Sequence, residues 1–163
     1  MSDFILHVDQ DGVLADFQLG YVTQTNIPWH IATALPDNIF WDNVNKHPDF
    51  FYELPLMPDA LELWDTIKHL DPRILTAIPR VTTRATTKDE KRRYITKYFG
   101  EHVIVNFSPS AQDKVKFYRP GTRDVLIDDR KDTIETWNKA GGIGIHHTSA
   151  KNTIQQLMAF KVI

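Results

Sequence analysis

Short runs of apolar, largely β-branched residues recur along this chain, and several stop abruptly at an acid or a hydroxyl. Phe4-Ile5-Leu6-His7-Val8 runs into Asp9, Ile74-Leu75 into Thr76-Ala77, and Val125-Leu126-Ile127 into Asp128-Asp129. Val103 to Phe107 and Ile143 to His146 are two further runs. Apolar runs this short, without polar alternation, are the pattern of strands buried on both faces. Stretches with helical signals lie between them. Leu61, Trp64, Ile67 and Leu70 share one face behind a capping Asp59, and a charged helix runs from Thr87 to Phe99 with Gly100 at its end. Asp132 to Ala140 is closed by Gly141-Gly142, and Thr148 or Ser149 caps a last helix through Leu157 and Met158. Strands alternating with helices require crossover connections and a parallel sheet. The predicted fold class is therefore α/β, a doubly wound, five-stranded, Rossmann-like parallel sheet.

Two segments do not fit that alternation. Val13 to about Thr25 is predicted helical, and residues 26–57 carry four prolines with Trp29, Phe40, Trp41, Phe50, Phe51 and Tyr52. Weak periodicity there predicts short helices and loops forming a small lid. The connection between the third and fourth strands is predicted to be a loop or a single turn. The 163 residues suit one domain with a small insertion. With no cysteine, disulfides, thiolate catalysis and cysteine-ligated zinc are excluded. A net charge of −2 gives no general attraction to nucleic acid or anionic membrane. No apolar run approaches the roughly 18 residues of a spanning helix. Met-Ser-Asp carries no basic leader, so a soluble, cytoplasmic protein is expected.

In open parallel α/β sheets, ligands sit beyond the carboxyl ends of the strands. That edge here receives Asp9 and Asp11, Thr76, Asn106 and Ser108, and Asp128 with Asp129, with Lys114 in the loop leading to the fourth strand. Carboxylates crowded together repel one another, and a hard divalent cation such as Mg²⁺ relieves this with oxygen ligands. A metal, a lysine, a hydroxyl and free backbone N–H groups match a phosphate. One carboxylate can then attack phosphorus, and a neighbour can serve as general acid and base.

These residues also carry a resemblance. Val8-Asp9-Gln10-Asp11-Gly12-Val13-Leu14-Ala15-Asp16-Phe17 resembles the first motif of the haloacid dehalogenase (HAD) superfamily. Thr76, Lys114 and Leu126-Ile127-Asp128-Asp129 are similar to its second, third and fourth motifs, in the same order. Gly12 to Phe17, Asp89-Glu90-Lys91 through Tyr98-Phe99-Gly100, the Asp113-Lys114 pair and Phe50-Phe51 ahead of Pro58 resemble the 5′(3′)-deoxyribonucleotidases more narrowly. The resemblance implies an HAD-like catalytic core of residues 1–16 and 58–163 and a small helical cap of residues 17–57. It implies a Mg²⁺-dependent phosphomonoesterase acting on deoxyribonucleoside monophosphates. Asp9 is then nucleophile and metal ligand. Asp11 is general acid and base, with its backbone carbonyl on the metal. Asp129 completes the metal site and Asp128 holds metal-bound water. Thr76, Lys114 and the backbone at Ala77 bind the phosphoryl group, and Phe17 stacks on the base. Ala77-Ile78-Pro79 departs from the Ser-Pro that follows the threonine in the nucleotidases, and Arg130-Lys131-Asp132 lengthens the run after the acidic pair.

Other readings of the same residues lead elsewhere. A phosphatase for sugar phosphates or polynucleotide 3′ ends shares this mechanism, and a non-catalytic nucleotide-binding regulator shares the fold. His7 is expected as a core histidine, and His146-His147 as structural. Lys88, Lys91, Arg92, Arg93 and Lys97 alternate with acids and are expected to form a solvated helix face, except that the resemblance puts Lys91 near the site. Trp29 and Trp41 are further candidates for stacking. The expected partner is a small phosphomonoester, with no membrane or nucleic-acid partner, and a homodimer is left open.

Overall fold

The computed structural model describes residues 3–79 and 84–163. Five strands form one sheet: β1 (Leu6–Val8), β2 (Arg73–Ala77), β3 (Val105–Ser108), β4 (Val125–Asp128) and β5 (Ile143–His146). Their order is β3-β2-β1-β4-β5, and every pairing is parallel. The α/β class and the five-stranded parallel sheet are thus as the sequence predicts. The helices are α1 (Phe17–Thr25), α2 (Trp29–Ala32), α3 (Asp37–Asn45), α4 (Ala60–Ile67), α5 (Thr87–Phe99), α6 (Lys131–Ala140) and α7 (Ala150–Ala159). Among the described residues, no helix is long and apolar enough to cross a membrane.

Alternation along each strand sorts the core into two faces. Ile74, Val125 and Ile127 pack with α4, α5 and α7 residues such as Leu63, Ile95 and Leu157. Leu75 and Leu126 point the other way, onto Ile134 and Trp137 of α6 and onto Tyr118. His7 joins that second face, with its ring edge-on to Trp137 at 5.4 Å. Asp124 ties the starts of the central strands together: its buried carboxylate accepts the Ile5 N–H and the Arg119 guanidinium. Residues of α1, α2 and α3 join the larger apolar cluster, and α1 packs against both α2 and α3.

Several boundaries differ from the sequence reading: β1 begins at Leu6 rather than Phe4, and α4 ends at Ile67, with Leu70 in a following 3-10 turn. The helix expected from Val13 starts only at Phe17. Before it, the Gln10 carbonyl accepts the N–H groups of Val13, Leu14 and Ala15, which closes a single turn. Asp16 then caps α1 by accepting the Leu19 N–H. The third strand begins at Val105, not Val103, because Val103 lies in the turn closed on Gly100. The link from β3 to β4 is longer than one turn, a six-residue 3-10 segment Gln112–Phe117.

Candidate active site

The ends of β1 and β4 and the 3-10 segment before β4 bring the first groups together. Asp9 follows β1, and its N–H donates to the Ile127 carbonyl, which extends the ladder to the edge of the sheet. The next turn bends back at Gly12, whose φ of +91° is left-handed backbone that suits glycine. Asp128 ends β4 with its side chain fully buried, one oxygen accepting the Arg130 N–H. Lys114 stands on the 3-10 segment, which Ser110 fixes by accepting the Asp113 N–H. The Lys114 ammonium, 2% exposed, bridges Asp9 at 2.9 Å and Asp128 at 2.7 Å.

A second lysine stands opposite. Lys91 of α5 donates to the Asp11 carboxylate at 2.8 Å, the Thr76 hydroxyl at 2.8 Å and the Ala77 carbonyl at 3.0 Å. Thr76 accepts this bond, so its own hydrogen is left to donate elsewhere. The expectation of a solvated basic face on α5 holds for Lys88, Arg92 and Lys97, which are exposed, and Lys91 is the exception it was expected to be, buried beside Asp11. Tyr94, Ile95 and Phe99 form the helix's apolar stripe. Extending it two turns back lands on Glu90 and Lys91 and then Thr87, all buried.

Asp9, Asp11, Phe17, Thr76, Ala77, Lys114 and Asp129 all line one cavity of about 640 Å³, and Asp128 alone of the predicted site residues is not among its walls. Trp29 and Trp41 line it too, as do Asp16 and Arg130, to which the sequence reading gave no role. Phe17 is also a centre of the aromatic packing between the sheet edge and the helices, 5.5 Å from Phe50 and 5.8 Å from Trp41. His146 and His147 are engaged elsewhere, with the Asp129 carbonyl and the Thr153 hydroxyl.

No protein-family model matches the chain, and no curated protein matches it. Solved structures do. A hydrolase from Streptococcus pneumoniae TIGR4 superposes with a TM-score of 0.57 at 16% identity, over 96% of this chain and 100% of that one. A haloacid dehalogenase-like family hydrolase from Streptococcus pneumoniae gives 0.55 at 16% identity, over 96% and 92%. An HAD-superfamily hydrolase from Ehrlichia chaffeensis gives 0.55 at 13% identity, over 98% and 97%. The chain has the HAD-like fold. At these identities the likeness is one of fold, and the chemistry rests on the side chains.

Within this HAD-like fold, Asp9, Asp128 and Asp129 each offer an oxygen within 4.8 Å of the others. Three carboxylates against the single ammonium of Lys114 leave an excess of negative charge in a largely buried space. Burial, and then the neighbouring Asp128 charge, push the Asp9 carboxyl well above its ordinary range despite Lys114. Burial raises Asp129 as well, with Asp128 adding to it. Burial opposes the Lys114 charge, but Asp9 and Asp128 outweigh it and raise the ammonium's pKa. The donor set fits a hard divalent cation of the Mg²⁺ type, whose charge would offset the excess. The Asp11 side chain is not part of this triad, since it is turned to Lys91.

Proposed function

We propose that this chain is a Mg²⁺-dependent phosphomonoesterase that acts through an aspartyl-phosphate, with deoxyribonucleoside monophosphates as its substrates. The observation that carries the reading is the convergence of Asp9, Asp11, Thr76 and Lys114 on one cavity beside the acidic triad. The substrate class is supported by the wall of Phe17, Trp29 and Trp41 in the same cavity, a surface on which a base can stack. Its volume of about 640 Å³ is ample for a nucleotide.

Asp9, Asp129 and the Asp11 backbone carbonyl would hold the metal, with Asp128 next to them. Bound there, Mg²⁺ supplies positive charge to the phosphoryl oxygens. The remaining steps belong to the protein. One Asp9 oxygen is held by Lys114 and the Gln10 N–H, and the second is the proposed nucleophile. It forms a bond to phosphorus as the ester P–O bond breaks. The departing oxygen keeps the bonding electron pair and takes a proton from Asp11. A water then gives a proton to the Asp11 carboxylate while its oxygen bonds phosphorus, and the Asp9–phosphorus bond breaks to return the carboxylate and free phosphate. Thr76 donates its hydroxyl hydrogen to a phosphoryl oxygen, and Lys114 neutralises charge in both steps.

The test is phosphate release from 5′- and 3′-deoxynucleotides, ribonucleotides, sugar phosphates and 3′-phosphorylated oligonucleotides, with Mg²⁺ and with EDTA. Release from deoxynucleotides that needs Mg²⁺ and is abolished by Asp9→Asn is expected. Release from sugar phosphates or oligonucleotides alone keeps the mechanism and removes the substrate class. Nucleotide binding without release from any ester rejects the enzyme.

A further inference from the structure

We infer that Lys91 is a positioning residue that holds the Asp11 carboxylate in place for proton transfer, anchored at the end of β2. The inference rests on the proposed role of Asp11 as general acid and base. Lys91 is 1% exposed, and its ammonium has three hydrogens and three acceptors: Asp11 Oδ2, Thr76 Oγ1 and the Ala77 carbonyl. With all three hydrogens engaged, it has none to offer a phosphoryl oxygen, unlike a lysine that binds the transferring group. Its acceptors come from two separate parts of the fold, the turn after β1 and the end of β2. The rest of the residue is fixed as well. The ammonium lies 4.9 Å from the centre of the Phe51 ring, and the Gln10 side chain donates to the Lys91 carbonyl at 3.3 Å.

Asp11 needs such a hold. Its side chain is about a quarter exposed at 26%, and its other oxygen, Oδ1, is buried with no hydrogen-bond partner among the described residues. Without Lys91 no side chain among the described residues would fix the carboxylate's rotation, and general-acid catalysis depends on reach to the departing oxygen. The two buried lysines thus divide the work. Lys114 sits among the acids around the nucleophile, and Lys91 sets the geometry of the proton donor.

The distinguishing readout is leaving-group dependence of kcat/KM, which reports the phosphoryl transfer to Asp9. Phenolate needs a proton as it departs, whereas p-nitrophenolate leaves readily without one. Wild type, Lys91→Met, Asp11→Asn and the double variant are compared on phenyl phosphate and p-nitrophenyl phosphate with saturating Mg²⁺. Lys91→Met is expected to lose roughly 100-fold or more on phenyl phosphate and about tenfold or less on p-nitrophenyl phosphate, as Asp11→Asn does. In the Asp11→Asn background, Lys91→Met is expected to cost little more. Equal losses on both esters, or independent losses in the double variant, overturn the proposal. Lys91→Gln keeps a donor for the β2 anchors and gives a second chance at a folded variant. If it too fails to fold, Lys91 is a stability residue and the proposal is wrong. A wild type inactive on both esters rejects the phosphomonoesterase reading itself. An Asp11→Asn variant indifferent to the leaving group rejects Asp11 as the acid, and either result removes the role of Lys91 with it.

Discussion

A methyl group at Gly12 would overlap the Asp129 carboxylate, and its positive φ of +91° disfavours any side chain. Gly12→Ala therefore strains the turn and pushes Asp129 out of the triad at once. The expected outcome is a stability loss of about 1–3 kcal/mol in urea unfolding. It is accompanied by a roughly 10-fold or greater weakening of Mg²⁺ dependence; unchanged Mg²⁺ dependence would show that Asp129 is not held where metal binding needs it. Lys114→Met removes the ammonium shared by Asp9 and Asp128, both buried. Stranding their charge is expected to cost roughly 3–5 kcal/mol in urea unfolding with EDTA present. A cost below 1 kcal/mol would mean that the carboxylates are already neutral in the folded protein. The acids in these two predictions were legible in the sequence because they stand at or just beyond a strand end, where a short apolar run stops, and Lys114 because it lies in the loop leading to β4. Lys91 was harder to read. Its helix is rich in charge, and the inward turn of Glu90 and Lys91 is set by tertiary partners, Phe51 and Asp11, far away in sequence.

At the scale of elements, β1 carries a cost that its neighbours did not announce. His7 was legible as a core residue, but its environment was not: both ring nitrogens are buried without hydrogen-bond partners among the described residues, against Trp137. Burial lowers its pKa from 6.5 to about 4, with Asp124 opposing and Arg73 and Arg119 assisting. The unfolded chain takes up a proton near pH 6.5, whereas the folded chain does not until near pH 4. This residue's contribution to stability is therefore greatest above pH 6.5 and falls steadily between those values. Relative to His7→Leu, the wild type is expected to lose about 2 kcal/mol between pH 7 and pH 5 in urea unfolding. Parallel pH profiles for the two proteins would contradict the burial of a neutral histidine. Elements with strong patterns, β2, β4 and α4 to α7, were legible. The start of α1 was not, because the Gln10 carbonyl collects three N–H groups and closes a turn that imitates a helix start. Helices α2 and α3 follow Pro28 and Pro36, and their aromatic packing is shared with Phe17 and Tyr21. That packing is a tertiary pattern which helical spacing does not reveal.

For the molecule as a whole, the order β3-β2-β1-β4-β5 puts β1 and β4 side by side at its centre. The acidic triad draws Asp9 from beyond one of these strands, Asp128 from the end of the other, and Asp129 just after it. A cation held by both strands is lost whenever the sheet opens, so its binding energy adds to global rather than local stability. At a Mg²⁺ concentration 100 times the dissociation constant, the gain is about 2.7 kcal/mol. For a chain of this length that corresponds to a rise of roughly 5–10 °C in Tm. Asp129→Asn removes one ligand and part of the charge excess that attracts the ion. Its Tm is expected to respond weakly to the same Mg²⁺ titration while the fold persists, since the substitution leaves the Lys114 bridge to Asp9 and Asp128 intact. Thermal unfolding followed by circular dichroism, with Mg²⁺ and with EDTA, separates the outcomes without any substrate. A shift in wild type that Asp129→Asn loses ties the ion to the strand edge. Equal shifts in both proteins place it elsewhere, and no shift in wild type removes the metal from the proposed mechanism.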